Sequence, residues 1–248
     1  MAERRPDRSA RLWVGVGLPL LAALALAATL QRLFPAEPMD RWVAAAGLCW
    51  AGQLWYVGYR LDPRRFGDRF WRRLLGPANA LTFARGALYA IVAGFVVMPA
   101  DTALAWVPAL CYGVGVALDK LDGTVARRVG RQTEFGGRLD TAFDTFGFVA
   151  APLLAVVWGL LPAWYLAISA ARYVFLAGIR LRRLRGLSVS ERPDSDLGRY
   201  LAGVQMVFLA VALVPAAPTD LVWTAAPFVL APSLAVFARD YLTVSGRI

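Results

Sequence analysis

The chain has 248 residues, of which 58% are hydrophobic, and its mean hydropathy is +0.52. This composition excludes an ordinary soluble domain and favours an integral membrane protein. The 27 basic and 17 acidic residues give a formal net charge of +10, which on a membrane protein indicates positive-inside loops and contact with anionic lipid headgroups. Nucleic acid is not an expected partner, because the arginine clusters flank apolar segments instead of forming one basic face.

The sequence contains no histidine. That excludes histidine-based acid–base catalysis, histidine-ligated zinc and a Ser-His-Asp triad. The two cysteines, Cys49 and Cys111, lie in apolar segments and are typical of small buried hydrophobic residues, not of a disulfide or a metal site. Any bound metal must therefore have oxygen ligands, which favours Mg²⁺ or Mn²⁺.

Eight apolar segments follow one another along the chain, each near the length of about 20 residues that crosses a bilayer. They lie at roughly 12–33, 41–59, 79–99, 102–120, 138–160, 162–180, 199–215 and 221–240. A cleaved signal peptide is the alternative for the first segment, although its apolar run is longer than a usual signal region. The pattern predicts an all-α polytopic membrane protein.

Residues 60–75 differ from these segments. Phe66, Phe70 and Leu74 recur every four residues, and much of the remainder is arginine: Arg64, Arg65, Arg69, Arg72 and Arg73. This pattern predicts an amphipathic helix that lies in the membrane interface. The alternative is a basic loop that only fixes the orientation of the chain in the membrane.

The arginine-rich junctions alternate with short junctions that lack arginine. The basic ones lie at 60–75, 121–138 and 180–199. Because basic loops stay on the cytoplasmic side, this alternation predicts that both termini are cytoplasmic. The acidic stretch at 119–144 then faces the cytoplasm as well.

Two pairs of carboxylates stand out in this stretch: Asp119 with Asp122, and Asp140 with Asp144. The i,i+3 and i,i+4 spacings place each pair on one face of a helix. Four clustered anions at a membrane boundary are costly unless they are compensated. We therefore predict that they bind one or two divalent metal ions.

Other residues of the stretch suit a phosphate-bearing ligand. Arg127 carries a permanent charge suited to phosphate, and Gly123 and Ala126 leave room for a ligand to approach the backbone. Gly136 is predicted to permit a sharp entry into the second helix. The alternative is that the first acidic pair forms ordinary ion pairs with Arg127 or Arg128 and the second pair stabilises a helix N-terminus.

Together these positions form the pattern D-x2-D-G-x2-A-R-x8-G-x3-D-x3-D, from Asp119 to Asp144. It resembles the signature of the CDP-alcohol phosphotransferase family at all eight fixed positions and spacings. The segment GPANALTFAR, beginning at Gly76, is similar to the P-N-x-x-T region of that family, with one residue inserted between Pro77 and Asn79. The resemblance covers the six spans from about residue 77 to the C-terminus, so three regions are predicted: a two-helix extension at 1–59, the interfacial helix at 60–76 and a six-helix core at 77–248.

The resemblance implies an enzyme that moves a phosphoalcohol group from a CDP-alcohol, with CDP-diacylglycerol expected, to an alcohol, and releases CMP. It assigns the four aspartates to divalent metal, Mg²⁺ or Mn²⁺, and makes Asp144 also the general base. It implies a homodimer in a bacterial-type inner membrane. It places seven residues at the CDP donor: Asn79, Thr82, Gly123, Ala126, Arg127, Thr133 and Gly136.

The acceptor is predicted from Arg172 and Arg180, which lie eight residues apart and so near one helix face. The spacing resembles the R-E-x6-R stretch of phosphatidylglycerophosphate synthases, with Tyr173 in place of Glu, and implies binding of an acceptor phosphate such as that of glycerol 3-phosphate. For Arg180 the alternative is a marker of the cytoplasmic end of a span. Arg172 lies nearer mid-span, where an isolated arginine is expensive and indicates function.

Two alternatives to this activity stay open at this point. One is a family member that uses a soluble CDP-alcohol donor and a lipid acceptor. The other is a cation transporter that uses the acidic cluster. The position of the acids at one membrane face, with Arg127 beside them and not along a pore, argues against the transporter.

Overall fold

The computed structural model describes residues 28–61, 77–129, 134–190 and 195–247. The long helices in these ranges are α1 (Met39–Leu61), α2 (Pro77–Gly94), α3 (Trp106–Val129), α4 (Glu134–Val157), α5 (Ala167–Leu184), α6 (Asp196–Ala212) and α7 (Thr219–Val244). Residues 28–33 are also helical, and short 3-10 helices lie at Phe95–Val97 and Ala163–Leu166. The described residues contain no strand, which confirms the prediction of an all-α protein.

Two helices in the described ranges are long and apolar enough to cross a membrane. They are Asp140–Val157, within α4, and Thr219–Val244, which is α7. A shorter apolar helix lies at Leu81–Val97. The eight-span arrangement stays a prediction, and most of the first span and of the predicted interfacial helix at 60–76 lies outside the described residues.

The helix ends differ most from the predicted ones around the acidic stretch. The sequence predicts a junction over 121–138, whereas α3 continues to Val129 and α4 begins at Glu134. Hydropathy marks where a helix leaves the lipid, not where its backbone hydrogen bonds end, and the alanine and arginine residues there favour a helix. Gly136, predicted to permit a sharp entry into the second helix, lies in the first turn of α4.

Helix α2 is central and packs against α1, α3 and α4. Its Tyr89 is 1% exposed, and its ring lies against both α3 and α4. A Cβ atom on Gly115 of α3 would lie 2.5 Å from Cε1 of the ring, and one on Gly147 of α4 would lie 2.6 Å from Cε2. The two glycines thus admit the ring between the helices, as small residues do at membrane helix contacts.

A second close contact lies about one helical turn nearer the Asp140–Asp144 end of α4. A Cβ on Gly86 of α2 would lie 2.8 Å from the ring of Phe143 on α4. Gln53 of α1 donates a hydrogen bond to the Gly86 carbonyl at 3.2 Å. Since Gly86 follows Arg85 and Phe143 precedes Asp144, these contacts fix the backbone that carries both charged side chains.

The C-terminal helices are joined by one buried amide. Gln205 of α6 is fully buried; it accepts a hydrogen bond from the Tyr165 hydroxyl. It donates to the Val229 carbonyl at 3.0 Å and to the Ser233 hydroxyl at 3.1 Å, both on α7. Because each polar atom of the amide has a partner, the group stabilises the contact between α6 and α7 instead of weakening it.

We expect Gly115→Ala to destabilise the protein by about 1–3 kcal/mol, the usual cost of overpacking a core. The added Cβ would lie 2.5 Å from the enclosed ring of Tyr89. Thermal unfolding of the detergent-solubilised protein measures the effect. Gly113→Ala on the same helix is the matched control, because nothing lies within 4 Å of its added Cβ and Ala favours a helix over Gly. Equal unfolding temperatures for the two variants would contradict this packing.

Candidate active site

Three aspartates from two helices meet at the cytoplasmic end predicted from the sequence. Asp119 lies on α3, and Asp140 and Asp144 lie one turn apart on α4. One carboxylate oxygen from each side chain lies within 4.8 Å of the others. The backbone of Asp122 follows on α3, while its side chain lies outside the described residues. Helices α3 and α4 therefore bring together three of the four carboxylates predicted to bind metal.

Arg85 of α2 lies at the centre of these carboxylates and is 1% exposed. Its Nη1 atom donates to Oδ1 of Asp119, and its Nη2 atom donates to Oδ1 of Asp140. Nη2 also lies 3.1 Å from Oδ1 of Asp144. A single guanidinium thus joins three helices through three carboxylates, which we call the Arg85 cluster.

The motif spacing does not single out Arg85 as a site residue, because Arg85 lies upstream of the motif. A signal is nevertheless present, since an arginine inside an apolar helix requires an acidic partner or a polar cavity. The alternative partners predicted for the first acidic pair, Arg127 and Arg128, lie farther along α3, and their side chains are outside the described residues. Among the described residues, Asp119 pairs with an arginine of another helix.

The Tyr89 ring and the two glycines that enclose it lie about one helical turn from the Arg85 cluster. Tyr89 lies one turn after Arg85 on α2, and Gly115 lies one turn before Asp119 on α3. Gly147 lies three residues after Asp144 on α4. Because the glycines let all three helices close around the ring, the charged side chains one turn away are brought within contact distance.

The donor set of the cluster fits a hard divalent cation. Carboxylate oxygens are the ligands that Mg²⁺ and Mn²⁺ prefer. Oδ1 of Asp144 is buried and accepts no hydrogen bond, although it lies within ion-pair distance of Arg85. The three carboxylates and the guanidinium carry a formal net charge of −2. Lys120, which is largely exposed, lies 4.0 Å from Asp119 at the edge.

A cavity of about 600 Å³ opens beside Asp144 between α4, α5, α6 and α7. Asp144 lines it, whereas Asp119 and Asp140 do not. Its other polar lining includes Thr141, Thr145, Ser169, Arg172, Arg199, Gln205 and Ser233. Asp144 therefore connects the Arg85 cluster with a space large enough for a small polar molecule.

Arg172 and Arg180 occupy different environments on α5. Arg172 is half-buried and lines the cavity, and within the described part of the chain it forms no ion pair. Arg180 is exposed and does not line the cavity. A half-buried guanidinium that faces a cavity, with no ion pair among the described residues, indicates an anionic ligand, so the geometry supports Arg172 more directly than Arg180.

Apart from Thr133, the residues predicted at the donor lie along α2, α3 and the start of α4. Thr82 is buried on α2, one turn before Arg85, and the backbone of Asn79 lies one turn earlier. For most of the predicted donor residues the side chains, and for Thr133 the whole residue, lie outside the described part of the structure. These are Asn79, Gly123, Ala126, Arg127, Thr133 and Gly136. Their donor role stays a prediction.

Sequence comparison finds similar curated proteins. Three curated proteins named "Putative cardiolipin synthase", one from Mycobacterium bovis and two from strains of Mycobacterium tuberculosis, are each 33% identical to the chain over 117 residues. The aligned part covers 47% of this chain and 54% of each relative, so the chain spans about half the length of the curated relatives it matches. No solved structure matches the chain.

A family model described as CDP-alcohol phosphatidyltransferase matches residues 76–234, which is more than half of the chain. The matched range contains Arg85, the three clustered aspartates and Arg172. It begins at the glycine that precedes α2 and ends within α7. The resemblance seen in the acidic motif is thereby confirmed: the chain belongs to the CDP-alcohol phosphatidyltransferase family of membrane-associated transferases.

Proposed function

We propose that the chain is an integral membrane phosphotransferase of phospholipid synthesis that depends on a divalent metal. It transfers the phosphatidyl group of CDP-diacylglycerol to the hydroxyl of a polar acceptor such as glycerol 3-phosphate and releases CMP. The observation that carries this proposal is the convergence of Asp119, Asp140 and Asp144 beside a polar cavity, in a chain that belongs to this family.

The donor is proposed to bind along α2, α3 and the start of α4. Asp119, Asp122, Asp140 and Asp144 would hold Mg²⁺ or Mn²⁺, which neutralises the charge of the diphosphate when bound. The contacts with CDP come from Asn79, Thr82, Gly123, Ala126, Arg127, Thr133 and Gly136. Phosphoryl transfer requires positioning and charge neutralisation more than covalent help, and this set supplies both.

Asp144 is proposed as the general base because it is the one aspartate of the described cluster that also lines the cavity. Its carboxylate accepts the proton of the acceptor hydroxyl as that oxygen attacks the phosphorus that carries the diacylglycerol. The new phosphorus–oxygen bond forms while the bond to the bridging oxygen breaks, and CMP leaves with that oxygen. The product is a phosphodiester lipid.

The acceptor is proposed to bind in the cavity with its phosphate near Arg172. The guanidinium is half-buried and has no ion pair in the described residues, so an acceptor phosphate would supply the missing counter-charge. Thr141, Thr145 and Ser169 line the same space and can accept hydrogen bonds from hydroxyl groups. Arg180 belongs to the acceptor proposal on the sequence pattern alone.

A lipid acceptor with a soluble CDP-alcohol donor is the second candidate. It is favoured by the wall of the cavity between α5 and α7, which is formed by Ile168, Val236 and Phe237. Phe237 also borders an apolar groove of about 370 Å³ between the same helices. Such a groove suits an acyl chain.

We further infer a homodimer in a bacterial-type inner membrane, with the site and both termini on the cytoplasmic side. The distribution of arginines supports this orientation, and the family resemblance supports the dimer. On this side, metal ions and water-soluble substrates reach the cluster directly, while the lipid substrate stays in the bilayer. The amphipathic character of residues 60–76 is consistent with this placement.

We expect the purified protein in lipid nanodiscs to release CMP when it is given CDP-diacylglycerol, Mg²⁺ or Mn²⁺ and an acceptor. A screen of glycerol 3-phosphate, serine, inositol, inositol phosphate and lipid acceptors, with CMP quantified by chromatography, identifies the pair of substrates. Chelation with EDTA should abolish the release because the diphosphate charge is then not neutralised. Metal flux in liposomes without CMP release from any CDP donor would instead support the transporter.

We expect Asp144→Asn to lower turnover by at least about 10²-fold, because the amide cannot accept the acceptor proton. The stabilisation of the protein by CDP in a thermal unfolding assay should stay largely intact. Asp101→Asn is the matched control, since Asp101 is exposed in the loop between α2 and α3. Normal activity of Asp144→Asn would refute the assignment of the base.

We expect Arg172→Gln to raise the KM for a phosphate-bearing acceptor by about tenfold or more, as lost charge-assisted hydrogen bonds do. The KM for CDP-diacylglycerol should change little. Arg183→Gln is the control, because Arg183 is exposed in the last turn of the same helix. Arg180→Gln, measured in parallel, is expected to have the smaller effect. An unchanged acceptor KM in Arg172→Gln would contradict the acceptor site.

A further inference from the structure

We propose that Arg85 is a built-in counterion that competes with the divalent metal for Asp119, Asp140 and Asp144, and thereby sets the metal affinity of the site. The inference rests on the metal dependence proposed above and concerns a residue outside the acidic motif. Arg85 would act through the three carboxylates and not on the substrate, because its positive charge is already present where the cation binds.

Because Arg85 is buried, water does not solvate its charge. A guanidinium stays protonated in proteins, and a buried charge without a partner is strongly unfavourable. The side chain is 1% exposed, and its buried Nε atom has no hydrogen-bond partner. The described ion pairs of the guanidinium are all made by the two Nη atoms, toward the three carboxylates.

The carboxylates that Arg85 contacts are the same ones that approach closely enough to bind a metal. Its contacts use Oδ1 of Asp119, Asp140 and Asp144, and these side chains offer oxygens within 4.8 Å of one another. A small cation bound there needs carboxylate lone pairs at short distance. Some of those lone pairs already accept from the guanidinium, so a cation that binds the same Oδ1 atoms competes with Arg85 for them.

Packing prevents Arg85 from moving far when the metal binds. One turn away on α2, the Tyr89 ring is enclosed by Gly115 and Gly147, and the next residue, Gly86, is held against Phe143. The guanidinium therefore stays near the bound cation, and the two positive charges repel each other in a partly buried site where screening is weak. Competition and repulsion act in the same direction, toward weaker metal binding.

The same interaction stabilises the metal-free protein. Three carboxylates in close contact repel one another, and the guanidinium offsets part of that repulsion. It also joins α2 to α3 and α4. A protein without Arg85 should therefore depend on the metal for stability, whereas the wild-type protein keeps its helices together in the absence of metal.

We expect Arg85→Gln to bind Mn²⁺ with a Kd at least about tenfold lower than the wild-type protein, a change that corresponds to about 1.4 kcal/mol. The measurement is a titration of the full-length, detergent-solubilised protein with Mn²⁺, followed by electron paramagnetic resonance and calorimetry, without substrates. Arg85→Lys keeps one positive charge but cannot bridge several carboxylates, so its Kd should lie between those of the wild-type protein and Arg85→Gln. The control is Arg239→Gln, because Arg239 pairs with buried Asp240 on α7, and its Kd should equal that of the wild type.

Thermal unfolding gives the second readout. Metal-free Arg85→Gln should unfold at a lower temperature than the metal-free wild-type protein. Saturating Mn²⁺ should raise the unfolding temperature of the variant by more than it raises that of the wild type. If Arg85→Gln does not fold, Arg85→Lys decides, with a lower Kd supporting the proposal. An equal or higher Kd in the folded variant would overturn the counterion role alone. Absence of Mn²⁺ binding in the wild-type protein would overturn the proposed metal dependence with it.

Discussion

One buried guanidinium binds three carboxylates, and this contact holds α2, α3 and α4 together. Helices α2, α3 and α4 each carry charge that an apolar environment does not tolerate alone, and Arg85 compensates it across all three. The pairing requires a close approach of the helices. Small residues allow the helices to come this close, since Gly115 and Gly147 admit the Tyr89 ring one turn from the Arg85 cluster. Packing and electrostatics therefore specify the same arrangement.

The site uses two arginines in opposite ways. Arg85 is buried and its charge is satisfied within the protein, whereas Arg172 lines the cavity and has no ion pair in the described residues. A guanidinium that is paired with carboxylates of the protein holds its helices together, whereas one without such a pair can bind an anionic ligand. Asp144 lies between them, because it contacts Arg85 and also lines the cavity. This position suits a group that has to serve both the donor and the acceptor.

The sequence predicts the all-α class, the family and the clustering of the acidic residues, because each of these follows from local residue spacing or from composition. It does not predict where α3 and α4 end, since hydropathy reports the lipid boundary and not the limit of backbone hydrogen bonding. Arg85 and the glycines around Tyr89 matter only through residues far along the chain, such as Asp119 and Asp140. A single sequence carries no signal for such pairings beyond the expense of a charge in an apolar helix.

The two halves of the proposed site are built by different helices. The Arg85 cluster and the predicted donor residues other than Thr133 belong to α2, α3 and the start of α4, whereas the cavity is completed by α5, α6 and α7. The buried network of Gln205, Tyr165 and Ser233 joins the C-terminal helices without any contribution from the Arg85 cluster. A substitution in that network can therefore reshape the cavity while the carboxylates keep their partners. In the proposed enzyme, the choice of acceptor is then a property of α5–α7, and the transfer chemistry is a property of α2–α4.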